Sequence, residues 1–173
     1  MTNYPTEYIE FLAEFHGSRD YFECHEVLEE YWKEVEPGKK DSVWVSLIQL
    51  AVALYHERRH NWNGAKKMIN QAYLIATRQE EELKRLSLHS EDFLPFAQML
   101  RERINKEEGY YPVNLPIHDK NLLKAVQEKC LEKNYTWQNT SPVSIDILDR
   151  HKLRDRSEVI AARNASLQNK TTR

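Results

Sequence analysis

Tyr21-Phe-Glu-Cys-His25-Glu-Val-Leu-Glu29-Glu-Tyr-Trp32 sets the reading of the whole chain. Tyr21, Phe22, Leu28, Tyr31, Trp32 and Val35 recur at spacings of three, four and seven, the period of an amphipathic helix. His25 and Glu29 lie inside that apolar stripe, one turn apart, with Tyr21 and Trp32 on the same face. Side chains four apart on a helix stand roughly 5–6 Å from each other at Cβ, near enough to share a proton, a water or a metal ion. Burying both is costly unless each is paired, so the pattern calls for a polar partner from another element.

Working outward, the spacing predicts a first helix over about 5–15, with Pro5 near its first turn and Gly17 ending it. The second covers about 19–35 and stops at Pro37-Gly38. A third, opened by Asp41-Ser42, runs to about His60. Its near-continuous apolar run from Val43 to Tyr55 suits a central helix packed on more than one side. A fourth starts near Trp62 and buries Ala65, Met68, Ile69, Ala72, Ile75 or Ala76, and Leu83, with Arg78 to Arg85 as its exposed end. Ser90-Glu-Asp opens a fifth helix to about Glu107, with Pro95 in its first turn. Residues 109–118 hold two prolines and form an extended strap anchored by Tyr110 and Tyr111. A sixth helix follows over about 119–133, then a loop over 135–144, and a seventh short helix over about 156–166. The fold class is therefore all-α: a compact up-down helical bundle core, with a C-terminal extended strap and additional helices. Residues 1–108 form the core, and 109–173 form the strap, helix and basic tail that wrap it.

Composition narrows the function classes. The chain has 173 residues, 30% charged and 40% hydrophobic, with a formal net charge of −2. That suits one small helical domain and gives no electrostatic case for nucleic acid or a membrane surface. Cys24 and Cys130 are far apart in sequence and are expected as reduced thiols of a cytoplasmic protein. The N-terminal residues Met1-Thr-Asn-Tyr-Pro-Thr-Glu7 carry no basic or apolar segment of a secretory signal. Val43 to Tyr55 is too short to span a bilayer. There is no glycine-rich phosphate loop and no serine in a nucleophile elbow.

Three further residues are candidates to complete the His25/Glu29 constellation. Gln49 is the strongly polar residue of the apolar third helix, His56 lies two turns along the same face, and Glu26 adjoins His25 on the more polar side. In a metal reading, His25, Glu29 and His56 are ligands to zinc, manganese or iron, with Glu26 as catalytic base and Gln49 orienting water. In a metal-free reading, His25 donates to Glu29, Gln49 bridges helices, and Trp32 closes the cluster. Tyr21, Trp32, Gln49 and Tyr55 line the site in either case. No cofactor is required by the pattern; a divalent metal is the one candidate. His25-Glu-Val-Leu-Glu29 also shares its first two residues with the His-Glu-x-x-His helix of zinc peptidases, but places Glu where the second histidine belongs.

Three blocks in order, Tyr21 to Trp32, Leu47-Ile-Gln-Leu-Ala-Val-Ala-Leu-Tyr-His56, and Asn63-Gly-Ala65, resemble domain-of-unknown-function family 309, a family of small prokaryotic helical proteins. The resemblance covers about residues 15–73. It implies a compact helical bundle and places His25, Glu26, Glu29, Trp32, Gln49, His56, Gly64 and Ala65 in the family motif. Members have been labelled predicted metal-dependent hydrolases, so the resemblance also implies that activity as an expectation. After about Leu88 the chain departs from typical members.

The C-terminal residues Arg150, Lys152, Arg154, Arg156, Arg163, Lys170 and Arg173 outnumber Asp155 and Glu158. A basic tail of this kind suits an interaction module for protein or nucleic acid, although it lacks interleaved aromatics for base stacking. Trp44, Trp62 and Trp137 are expected as packing residues. His16, His89, His118 and His151 lie near predicted helix ends or in loops and are expected at the surface. Two classes result: a non-enzymatic helical module, as a homo-oligomer or bound to a protein partner, and a metal-dependent hydrolase of unspecified substrate.

Overall fold

The computed structural model describes residues 2–150 and 152. Eight α-helices and no strand occur among these described residues: α1 (Thr6–Ala13), α2 (Tyr21–Val35), α3 (Val43–Arg58), α4 (Trp62–Ala76), α5 (Glu80–Arg85), α6 (Ser90–Asn105), α7 (Lys120–Glu132) and α8 (Ile145–Leu148). Four of the starts are capped by the residue types that favour that position. Asp20, Ser42, Asn61 and Asp119 each accept a backbone N–H of the first turn.

The α3 helix is the centre. Most of its residues from Val43 to Tyr55 are buried, and its main neighbours are α4 and then α2. Contacts fix both pairs as antiparallel. Tyr31 near the end of α2 meets Trp44 at the start of α3, while Phe22 near the start of α2 meets Tyr55 near the end of α3. Ser46 donates across to the Ala72 carbonyl, joining the start of α3 to the end of α4. On the other side of α4, Lys66 pairs with Glu107 and Arg101 stacks over Tyr73, so α6 is antiparallel to α4. The predicted up-down core is therefore present. The α7 helix instead runs parallel to α1: Tyr4 donates to Asp119 at one end, and the Cys130 thiol reaches the Ala13 carbonyl at the other.

A buried ion pair ties α3 to α6. Glu57 and Arg103 are almost fully enclosed and meet through two parallel hydrogen bonds, with Arg103 Nε 2.9 Å from Glu57 Oε2. Such a pair is enclosed at a desolvation cost and holds because each charge is matched by the other.

Several expectations are corrected. The fourth helix does not continue to Arg85: it ends at Ala76, turns through Thr77–Gln79, and restarts as α5. Leu83 is buried as expected, and after the turn Leu86 and Leu88 enter the core with it. Pro95 falls in the second turn of α6, not the first. Gly17 does not end α1 by a left-handed backbone. Residues Glu14–Ser18 form a π-helical turn, and Arg19 takes the positive φ of 57°. Gly17 is needed for space instead, because a Cβ there would sit 2.7 Å from Tyr135 Cβ. A short α8 forms where no helix is expected, and the helix expected at 156–166 lies outside the described residues.

The strap is present, and of its two expected anchors Tyr110 packs against the core and bonds its hydroxyl to that of Tyr21. Val113 and Leu115 are the buried residues, whereas Tyr111 is 58% exposed. Arg19, buried to 1% exposure, donates to the carbonyls of Phe15, Val113 and Asn139 and to the Asn114 side chain. His16, expected at the surface, is fully buried. Its Nε2 accepts the Leu115 N–H at 3.0 Å, so Nδ1 carries the proton and donates to the Leu12 carbonyl at 2.8 Å. Burial lowers its pKa to about 3, leaving it neutral. The ring stacks near Trp137, and the strap covers the helix end that the sequence leaves looking open. His89 and His118 are partly exposed and lie ring to ring at 4.2 Å; His151 lies outside the described residues.

Candidate functional site

The register between α2 and α3 decides what surrounds His25. Tyr21, Phe22 and His25 face Val52, Tyr55 and His56 around a small cavity of about 130 Å³. His25 and His56 therefore share one cavity wall, as the constellation requires. Gln49 is not part of it. Its side chain donates to Gln71 on α4 at 3.2 Å, so it bridges α3 to α4 instead of α3 to α2.

His25 Nε2 lies 2.7 Å from Glu29 Oε2, and the other Glu29 oxygen meets Lys33 Nζ at 3.0 Å. The one-turn pairing read from the sequence exists. The pair is more open than its place in the apolar stripe implies, with side-chain exposures of 27% and 34%. An exposed ladder of this sort on one helix contributes only tenths of a kcal/mol, about 0.3–0.5 for an i,i+4 pair. Trp32 does not line the cavity: its indole N–H donates to the Lys39 carbonyl, closing the loop between α2 and α3. Glu26, the candidate base, is half-buried on the neighbouring face of α2.

His56 is held by packing as well as by the cavity. Asn61 Nδ2 lies 3.1 Å from its Nδ1, and a Cβ on Gly64 would come within 2.9 Å of its ring. That contact gives the small residue Gly64 a physical role: it lets the start of α4 approach the end of α3.

A metal site needs three or more donors converging on one point at about 2.0–2.2 Å. Among the described residues, no group of three His, Cys, Asp or Glu side chains is placed to hold an ion. His25 and Glu29 bond to each other, and the cavity that His25 lines with His56 is otherwise aromatic and aliphatic, without Glu29.

Polar residues that sequence reasoning left aside or, for His16, placed at the surface are more deeply built in. Arg19, His16, Glu57 and Arg103 are all buried and hydrogen-bonded. Glu14 is buried too, and accepts from Lys133, Tyr135 and Ser18. Arg58 stacks over Tyr21 at 4.6 Å and donates to the Arg19 carbonyl at 2.7 Å. The available signal for Glu57 and Arg58 was their place directly after the apolar run of α3, where a helix end is still enclosed.

A family profile described as "Domain of unknown function (DUF309)" matches residues 8–68, which takes in α1, α2, α3 and the first half of α4. The "Uncharacterized protein YpuF" of Bacillus subtilis (strain 168) is 44% identical over 166 residues, which cover 95% of this chain and 95% of that one. No solved structure matches the chain. The similarity to YpuF extends through the strap and α7, well beyond the profile's limits. By that near full-length similarity and by the matched helices that frame the His25 cavity, the chain belongs to the DUF309 family.

Proposed function

We propose that this protein is a non-catalytic helical module in which His25 and Glu29 form a surface hydrogen-bonded pair and not a metal centre. One observation carries the reading: His25 Nε2 is committed to Glu29 at 2.7 Å, beside a cavity of about 130 Å³ that is mostly apolar. Small-molecule sites usually enclose about 300–1,000 Å³ and gather several polar groups on the ligand. This one has neither the volume nor the donors. The metal-dependent hydrolase remains the second reading, supported by His25 and His56 sharing a wall. Within the described residues it lacks a converging third ligand.

The compartment proposed is the cytoplasm. Both cysteines are buried and unpaired, with burial pushing their thiols up and away from the reactive thiolate. Among the described residues no helix is long and apolar enough to cross a membrane. The interaction role of the basic tail rests mainly on residues outside the described range. Of that tail, Arg150 is seen to pair with Asp20.

Elemental analysis of protein purified without a histidine tag tests the proposal. The expected result is no stoichiometric zinc, manganese or iron, with His25→Ala costing about 1 kcal/mol or less in urea unfolding. Near-stoichiometric metal that disappears in His25→Ala would replace this reading with the hydrolase.

A further inference from the structure

A larger cavity, of about 340 Å³, lies between the strap and the loop leading to α8. Tyr110, Pro112, Pro142, Val143 and Leu148 give it an apolar wall, and Arg58 supplies its cation. Neither His25 nor Glu29 lines it, so its role does not depend on whether that pair binds a metal.

Beside Arg58, Arg59 and Arg150 at this end of the bundle each have a carboxylate. Arg59 meets Asp149 at 3.1 Å, and Arg150 meets Asp20 at 2.8 Å. Arg58 has none among the described residues. Its Nη1 donates to the Arg19 carbonyl, and its guanidinium lies over the rings of Tyr21 and Tyr110 at 4.6 and 5.5 Å. Those rings are themselves fixed by a 2.7 Å hydrogen bond between their hydroxyls. The remaining donors, Nε and Nη2, are shut off from solvent and have no hydrogen-bond partner among the described residues.

Nε and Nη2 lie on one edge of the guanidinium. Their N–H bonds are parallel and spaced to meet the two oxygens of one carboxylate. A buried cationic fork without its acceptor is costly, and an anion in the adjoining cavity removes that cost. We infer that this cavity binds a small organic monocarboxylate with an aromatic or branched apolar body, its carboxylate taken by the Nε/Nη2 edge of Arg58. The apolar wall selects against inorganic anions, and the single cation lining the cavity matches one negative charge. Thr140 and Ser141 add hydroxyls at the cavity edge to orient the acid. Because the fork lies beneath the surface of the wall, binding is coupled to a small shift of the Arg58 side chain or of the loop over it.

The test titrates the full-length, 15N-labelled protein separately with sodium benzoate, benzamide and inorganic phosphate. The Arg58 Nε–H signal and the Val143 methyl signals are followed by NMR. Benzoate is expected to shift both saturably, while benzamide and phosphate leave the Nε–H signal in place. Arg58→Lys keeps the charge but loses the fork, and should weaken benzoate binding about ten- to a hundred-fold. Equal shifts with benzamide would reduce the cavity to an apolar groove. A shift of Nε–H by phosphate would make it an inorganic-anion site. No shift with benzoate would also overturn the inference. The contrast between benzoate and benzamide decides the matter on the wild-type protein, even if the lysine variant folds poorly.

Discussion

His16 shows how a single side chain escapes a sequence reading. It stands next to Gly17 at a predicted helix end, the usual setting of an exposed histidine. Yet it is sealed by the strap and locked as one neutral tautomer by Leu12 and Leu115. The covering segment is about a hundred residues away in sequence, so no local pattern announces it. Its titration makes a prediction. In the fold its pKa is lowered to about 3 from the ordinary 6.5, so below about 6.5 the unfolded chain binds a proton that the folded chain refuses. This contribution is complete above about pH 6.5 and is lost as pH falls towards 3, by up to about 1.4 kcal/mol per pH unit. Urea unfolding at about pH 7, 6 and 5.5 should show that decline. His16→Gln, which cannot titrate, should flatten the slope while lowering stability throughout; an unchanged slope would mean that the ring is not enclosed. Gly17→Ala should cost about 1–3 kcal/mol by overpacking against Tyr135. In Gly17→Ala/Tyr135→Gly, which removes the opposing Cβ, the clash should be relieved, measured as a non-additive double-mutant cycle.

Elements were legible where periodicity and punctuation agree. The α2 and α3 helices follow from the apolar spacing, the Pro37-Gly38 stop and the Ser42 cap. The α2–α3 register was not legible, because both His56 and Gln49 lie on one face of α3 and either could face His25. The structure selects His56 by pairing the start of α2 with the end of α3. The break between α4 and α5 was also hidden. Thr77-Arg-Gln-Glu-Glu-Glu82 contains no proline or glycine, and the turn is imposed by burying Leu83, Leu86 and Leu88. Between elements, the Glu57–Arg103 pair is an almost fully enclosed ionic link. Glu57→Leu, which leaves the guanidinium unpaired, should cost about 3–5 kcal/mol in urea unfolding. Glu57→Leu/Arg103→Met should recover most of that loss. An equal or larger loss in the double variant would show that shape, and not charge, holds α3 to α6 there.

At the scale of the molecule, the strap joins the helices of the core to its C-terminal part by completing the hydrogen bonding of two buried side chains, Arg19 and His16. Ending the chain after Glu108 would strip Arg19 of Val113, Asn114 and Asn139, and His16 of its donor. Each buried polar group so orphaned costs about 1–3 kcal/mol. The truncated protein should melt more than about 10 °C lower by circular dichroism, or without a cooperative transition. A melt matching the full chain would make 1–108 a self-sufficient unit. The DUF309 profile stops at residue 68, within α4, and so before α6, α7 and the strap that enclose His16 and Glu57. Similarity to YpuF continues through them, consistent with a fold that needs both parts.

Crystals of the untagged protein soaked in zinc would test the reading of the His25–Glu29 pair most directly. No anomalous peak bonded to His25 is expected, with Nε2 remaining on Glu29. A peak about 2.0–2.2 Å from His25, Glu29 and His56 together would contradict it and make this surface a metal centre.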